Sequence, residues 1–487
     1  MKKKQLKDKA IRGIAWSSAS AMVSKLASLG TQLVLGWLLS KDDFGVYAFS
    51  IGLATCVAGL RNGGTTEYLI QKCEAYTDWL KPCLFFSILS NFSASLILLL
   101  IVSLAADRFT DPRILPVAAI VAATIPLGTW PALLRARMSV ELRFEQLALI
   151  SGITNVSRQV LVVIFAVVGF GPFSFVLPLL ILPFLEIFMM RRRLTSIELT
   201  GEVNLRTMLE VAFLTRYIML GNFLNAVARN GDYFVIGLFI TASQLGIYFF
   251  SYQLTLATVT LLFTNIQSIL LPSYSHLIDA PKRQEDAILR SIRVASALAA
   301  PMVVVAVLWV REFVHIAWGG RWDEAGPLIE IFMLCLIAGY MGPIVRAAME
   351  ARGLWVLRMI FIALDAGAFI VIVTIASIGE DILVLACAVG LYRAMFDLFM
   401  AKVLSYVLRI KTSVVVRNMG WPYFLGLATG CVLVAFAPSG IDLIGSLYKL
   451  GIALVGIVIY VRWITRDSQI GPELQGLLSS VVGRSRA

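Results

Sequence analysis

The chain has 487 residues, 59% of them apolar and only 15% charged, with a net charge of +12 and a mean hydropathy of +0.84. A soluble core cannot enclose that much apolar surface, so a water-soluble globule is excluded and the bilayer becomes the solvent. The excess of positive charge is expected to face anionic lipid and not nucleic acid.

A span needs about 20 apolar residues. In chain order, such windows fall at 14–39, 44–70, 82–105, 114–134, 145–168 and 172–190, then at 215–240, 245–275, 294–310, 326–349, 357–378 and 382–401. A last pair falls at 419–437 and 443–461. The windows predict an all-α polytopic membrane protein of about 14 transmembrane helices, as six plus six plus two. The basic start MKKKQLKDKAIR precedes an apolar run that contains Lys25 and exceeds a secretory signal core in length, so it reads as an uncleaved first helix.

The first window ends in a segment that recurs. Residues 30–50 (GTQLVLGWLLSKDDFGVYAFS) and 231–251 (GDYFVIGLFITASQLGIYFFS) share seven identities in 21 positions at an offset of 201 residues. The identities are Gly30/Gly231, Val34/Val235, Gly36/Gly237, Gly45/Gly246, Tyr47/Tyr248, Phe49/Phe250 and Ser50/Ser251. An offset that covers six spans keeps both copies in one orientation, so the chain is expected to hold two parallel-repeat six-helix bundles around a central cavity. The expected division is a first lobe at 1–193, a cytoplasmic linker at 194–214, a second lobe at 215–410, two further helices at 411–465 and a tail at 466–487.

Orientation follows from Lys and Arg, which are retained in cytoplasmic loops. With the first residues inside, inner segments hold 29 of the 42 basic residues and outer loops six (Lys41, Arg108, Arg113, Arg311, Arg321, Lys449), so both termini are expected in the cytoplasm. Six cysteines without ligand-type spacing and two histidines (His276, His315) suggest neither a disulfide framework nor a metal site.

Seven basic residues remain within or at the ends of spans: Lys25, Arg61, Arg158, Arg216, Arg229, Arg346 and Arg393. A charge at the bilayer centre costs several kcal/mol unless it meets a wet cavity, a partner or the interface. Arg216 and Arg346 sit at inner helix ends and are expected to snorkel. Lys25, Arg158, Arg229 and Arg393 lie near the midplane, with Arg61 closer to the inner side. Arg393 and Asp397 are four apart and suit a local ion pair.

Lys25, Arg61 and Arg158 have no acid at matching depth, so the first lobe calls for an anionic substrate. Phosphate or pyrophosphate fits best, because a guanidinium grips such groups through two parallel hydrogen bonds. Lys25, Arg61, Arg158 and Arg229 are therefore the expected anion-binding residues. Asp232 and Asp365 either bind a coupling Na⁺ or proton together, or Asp232 simply pairs with Arg229. Tyr68, Tyr217, Tyr233 and Tyr252 either stack on sugar rings or anchor at the interface.

The turn LLSKDDFGVYAFS at 38–50, the segment RNGGTTEYLIQK at 61–72 and GGRWDEAGPL at 319–328 resemble the polysaccharide flippases of the Wzx type, in the multidrug/oligosaccharidyl-lipid/polysaccharide exporter superfamily. The resemblance runs from about residue 12 to 460. It implies a monomeric transporter of the bacterial inner membrane, without an enzyme cofactor. Its implied substrate is a polyprenyl-pyrophosphate-linked oligosaccharide, flipped by alternating access, and membrane lipids and other polysaccharide-assembly proteins are its implied partners.

Two rival readings differ in their chemistry. A multidrug antiporter of the same superfamily needs an acidic and aromatic site for organic cations, opposite to the basic first lobe. A membrane polymerase or ligase needs paired acid and base outside the membrane. The longest outer loop, expected from Arg311 to Ala325, offers only Asp323 and Glu324, which read as a solvated helix start.

Overall fold

A computed structural model describes residues 2–72, 76–104, 111–194, 203–263, 266–335 and 339–420; helices dominate, and no strand occurs among the described residues. The first helices are α1 (Lys2–Leu38), α2 (Lys41–Thr55), α3 (Thr65–Lys72), α4 (Tyr76–Leu104), α5 (Ile114–Leu127), α6 (Thr129–Val140), α7 (Phe144–Val168) and α8 (Phe173–Arg191). They are followed by α9 (Leu205–Ile236), α10 (Ala242–Phe263), α11 (Ile266–His276), α12 (Pro281–Trp318), α13 (Ala325–Cys335), α14 (Met341–Ala351), α15 (Trp355–Ser377) and α16 (Ile382–Leu408).

Each of the first twelve predicted windows coincides with one helix or a pair of consecutive helices. The two windows at 419–461 and the tail at 466–487 lie outside the described residues, apart from the start of the first at 419 and 420. Taken singly, α4, α7, α8, α9, α15 and α16 are long and apolar enough to span a bilayer, and α5 with α6 makes a further span bent by 41°. The bend falls where Pro126 removes a backbone donor. Helix α9 starts inside the expected linker because Asn204 and Thr207 form a capping box at its N-terminus.

The chain forms two compact units, Met1–Phe250 with Ile362–Ile382, and Ser251–Phe361 with Leu383–Ala487. In the first unit α1 packs along α7, where the Ser20 hydroxyl donates to the Ala148 carbonyl at 2.8 Å and Gly152 leaves room for it. The two copies of the repeat also meet in this unit. Ser40 and Asp43 form a capping box at the start of α2. Their partners at the 201-residue offset, Thr241 and Gln244, exchange the same two bonds at the start of α10. The offset thus preserves chemistry at positions where identity is lost.

The contact between the copies is reciprocal. A Cβ on Gly45 would lie 1.8 Å from the Ala242 carbonyl oxygen, and a Cβ on Gly246 would lie 1.8 Å from that of Lys41. Gly45 and Gly246 correspond, as do Lys41 and Ala242, so the seam has local twofold character. Only glycine lets two backbones approach so closely. Around it Phe44 meets Phe250 edge-on with ring centroids 5.6 Å apart, and Phe49 stacks on Phe234 at 6.0 Å.

Asp43 is further held by Arg113, at 2.6 Å, and Arg113 also grips Asp111 at 2.8 Å. The Arg113 hydrogen bond holds the Asp111 carboxyl below the usual carboxylate range.

In the second unit α12 runs for 38 residues, about 57 Å at 1.5 Å per residue, well beyond the hydrocarbon thickness. The loop expected from Arg311 is therefore helical as far as Trp318. The helix continues because Glu330 of α13 receives Arg311 through two bonds, at 2.6 and 2.5 Å. The GGRWDEAGPL segment then turns through Gly319 in the left-handed region, with Trp318 and Trp322 buried. Asp323 lies 2.9 Å from His315 Nδ1, so it belongs to this turn and is not merely solvated.

Candidate functional site

The second predicted span is unwound at its middle. After α2 the chain reaches RNGG at 61–64, where Asn62, Gly63 and Gly64 take φ values of 56°, 55° and 66° before α3 resumes. These left-handed conformations suit the two glycines and cost least for Asn among the other residues. In a bilayer the freed backbone groups need internal partners, and α4 supplies them.

A buried polar stripe on α4, Ser87, Ser90, Asn91 and Ser95, lies against the break. Asn91 Oδ1 accepts from the Asn62 amide at 2.7 Å, while its Nδ2 donates to Asn62 Oδ1 at 2.9 Å and to Thr129 Oγ1 at 2.7 Å. Ser90 Oγ donates to the Leu60 carbonyl at 2.5 Å and Ser87 Oγ to that of Asn62 at 3.1 Å. Thr129 opens α6 just after the α5–α6 bend, so one asparagine ties two interrupted helices together. The sequence reading missed this network; the available signal was Asn-Gly-Gly inside an apolar window, which marks a turn.

The unwound segment presents Arg61, which is exposed in the chain itself. Arg135 on α6 reaches Glu186 at 3.4 Å. Lys25 and Arg158, both half-buried, lie on the packed pair α1 and α7. Arg158 donates to the Tyr47 hydroxyl at 3.3 Å, a neutral partner that leaves its charge uncompensated at that contact. Tyr47 is fixed by stacking on Phe175 at 4.1 Å.

Arg229 on α9 is exposed. One turn on, Asp232 is buried and takes a hydrogen bond from Tyr248 of α10 at 3.0 Å. The bond ties Asp232 to the following helix. Asp365, half-buried on α15, belongs to the same unit. No cluster of three His, Cys, Asp or Glu able to hold a metal occurs among the described residues.

Three of the four tyrosines considered for stacking are buried against protein rings. Tyr68 meets Trp79 edge-on at 5.6 Å, Tyr233 meets Phe249 at 5.1 Å and Tyr252 meets Phe332 at 5.3 Å. Tyr217 is exposed, with the Arg216 guanidinium 4.4 Å from its ring centre.

Apolar spanning helices and an unwound span define a polytopic membrane transporter, and the fold is that of the exporter superfamily named above. Over 92% of this chain and 99% of the other, it is similar to the lipid II flippase MurJ in an inward closed conformation, with a TM-score of 0.70 and 12% identity. Similarity to an inward-facing multidrug resistance MATE family transporter covers 79% and 96% of the chains, with a TM-score of 0.63 and 12% identity. The chain belongs to the polysaccharide biosynthesis protein family, which matches residues 34–327. A curated relative is the succinoglycan biosynthesis transport protein ExoT of Rhizobium meliloti (strain 1021), 21% identical over 347 residues, 68% of this chain and 67% of the relative.

Proposed function

We propose that this transporter flips a polyprenyl-pyrophosphate-linked oligosaccharide across the bacterial inner membrane by alternating access. The observation that carries the reading is Arg61 on unwound backbone within a span. A cation on unwound backbone within a span is costly when the site is empty and favourable when an anion lies beside it. Unwound backbone within a span is the usual mark of a transport site. Lys25, Arg158 and Arg229 extend the basic surface along which the pyrophosphate travels, and exposed Tyr217 is the tyrosine able to offer a ring to a sugar.

The reciprocal glycine seam supports the alternating part of the mechanism. In this reading the seam lies at the end that the Lys and Arg distribution assigns to the outside, and the headgroup enters from the cytoplasm. Rocking about the seam then releases it on the other face. Buried Asp232, with Tyr248, is the group proposed to take up a coupling proton or Na⁺, and Asp365 is its proposed companion. The termini lie in the cytoplasm, where polysaccharide-assembly proteins have access to them, and the monomer is the working unit.

The test replaces Arg61, Lys25 and Arg229 separately with Gln and follows lipid-linked oligosaccharide on the two membrane faces. Loss of a charge-assisted grip on phosphate is expected to slow transfer by at least about tenfold for Arg61→Gln. Normal transfer in all three variants at wild-type expression would overturn the assignment. Export of a cationic dye by the wild type would favour the antiporter instead.

A further inference from the structure

The second unit contains a cavity of about 1000 Å³ that the transport mechanism does not use. Its walls are the first turn of α12, the turn between α14 and α15, and the end of α16 with the residues that follow. Three cations line it, Arg352, Lys402 and Arg409, together with the hydroxyls of Ser405 and Thr412, and no carboxylate is among the lining residues.

The cavity is built and not incidental. Gln284, only 1% exposed, donates to the Tyr274 carbonyl at 2.8 Å and accepts from Arg352 Nε at 2.9 Å. Arg352 Nη1 donates to the Val407 carbonyl. These bonds fix the guanidinium and leave its other donors for the cavity. Arg409 sits at the C-terminal turn of α16 with φ 59°, a position where glycine is the unstrained choice. There its amide bonds the Tyr406 carbonyl and the Ile410 amide bonds that of Ser405. The chain accepts backbone strain and presents a cation there.

Burial pushes the Arg352 guanidinium down; Glu285 opposes this, and the like charge of Arg409 adds a smaller downward push. The first turn of α12 adds the positive end of a long helix, and Ala280 before it supplies no side-chain cap to its free amides. An anion in the cavity would relieve the repulsion and occupy those donors. Apolar side chains share the lining: Leu354, Leu357 and Ile410, with Tyr406 largely exposed. Such a rim suits acyl chains and ill suits a free ion.

We propose that this cavity holds the phosphate headgroup of an anionic membrane phospholipid. Basic pockets of this kind at the ends of spanning helices bind acidic headgroups. The inference rests on the chain lying in a bilayer and is independent of which substrate is transported, because none of its residues belongs to the Arg61 site.

The test uses the full chain in a neutral detergent, titrated with phosphatidylglycerol, phosphatidylcholine or inorganic phosphate, with bound lipid read by native mass spectrometry. Phosphatidylglycerol is expected to bind at least about tenfold better than phosphatidylcholine. Lys402→Gln and Arg409→Gln should each weaken it by about fivefold, and the double variant by about 25-fold, with phosphatidylcholine unchanged. Both side chains are exposed, so these variants test the idea even if Arg352→Gln fails to fold. Equal binding of the two lipids, or an undiminished phosphatidylglycerol signal in the double variant, would overturn it. So would displacement of the lipid by equimolar phosphate, since a free anion would then be the ligand.

Discussion

At the turn they share, the two copies of the repeat are nearly interchangeable: Ser40 with Asp43 and Thr241 with Gln244 cap alike, and Gly45 and Gly246 meet reciprocally. A few turns further along they part. The first copy unwinds at Arg61, whereas the corresponding Leu262 is helical within α10. Asn91 braces that break in the first copy, and at the same offset stands Ile292 in an apolar core. Even the shared tyrosine is put to opposite use, Tyr47 receiving a bond from a cation and Tyr248 giving one to a carboxylate. Duplication conserved the seam where the copies touch each other and left each interior to acquire its own charge.

The sharpest way to break the comparison is at the seam. Gly45→Ala and Gly246→Ala each drive a methyl into a backbone carbonyl, and neither backbone can retreat without moving its helix. Each is expected to cost about 3 kcal/mol or more, and to a similar extent, measured by thermal unfolding of the purified protein. Unequal costs would show that the local twofold character is only apparent.

Next comes the interior in which the copies differ. Asn91→Ala removes three hydrogen bonds from a buried network and strands groups of both Asn62 and Thr129. A loss of about 2–3 kcal/mol is expected, whereas Ile292→Val, at the matching apolar position, should cost about 1 kcal/mol.

The tyrosines give a smaller and deliberately unequal pair. Tyr248→Phe leaves a buried carboxylate one hydrogen bond short and should cost about 1.5–3 kcal/mol. Tyr47→Phe takes an acceptor from a half-buried guanidinium that can turn to water, and about 0.5–1 kcal/mol is expected. A reversed order in unfolding experiments would contradict the charge asymmetry.

The smallest effect is a pH dependence near the turn. The Asp111 carboxyl is held low by Arg113, so its stabilisation is fully present above the unfolded-state pKa and is lost as pH falls through the lower folded value. Arg113→Gln should flatten the Tm-against-pH curve in the acid range, by less than about 1 kcal/mol for a partly exposed pair.

Much of this was legible without coordinates. Long apolar windows located the helices, because a span must satisfy its backbone internally and a bilayer sets its length. The 201-residue offset exposed the repeat, and the presence of a basic residue inside an apolar window drew attention to Arg61. Hydropathy carried no sign of the unwinding itself, since Gly and Asn hardly interrupt an apolar average. The burial of Tyr68, Tyr233 and Tyr252 was equally hidden, because a tyrosine's surroundings are set by helices distant in sequence.

The sequence by itself determined the solvent, the class of fold, the internal repeat and the excess of positive charge. These are local or summed properties: the length of an apolar run, the spacing of a repeat, the sign of a count. Only the tertiary structure decided that Asn91 joins two interrupted helices, that Tyr248 donates to Asp232, and that Arg352, Lys402 and Arg409 converge on one cavity. Those facts depend on which helix faces which, and that is chosen by close packing and the pairing of buried polar groups, neither of which is written in any single segment of the chain.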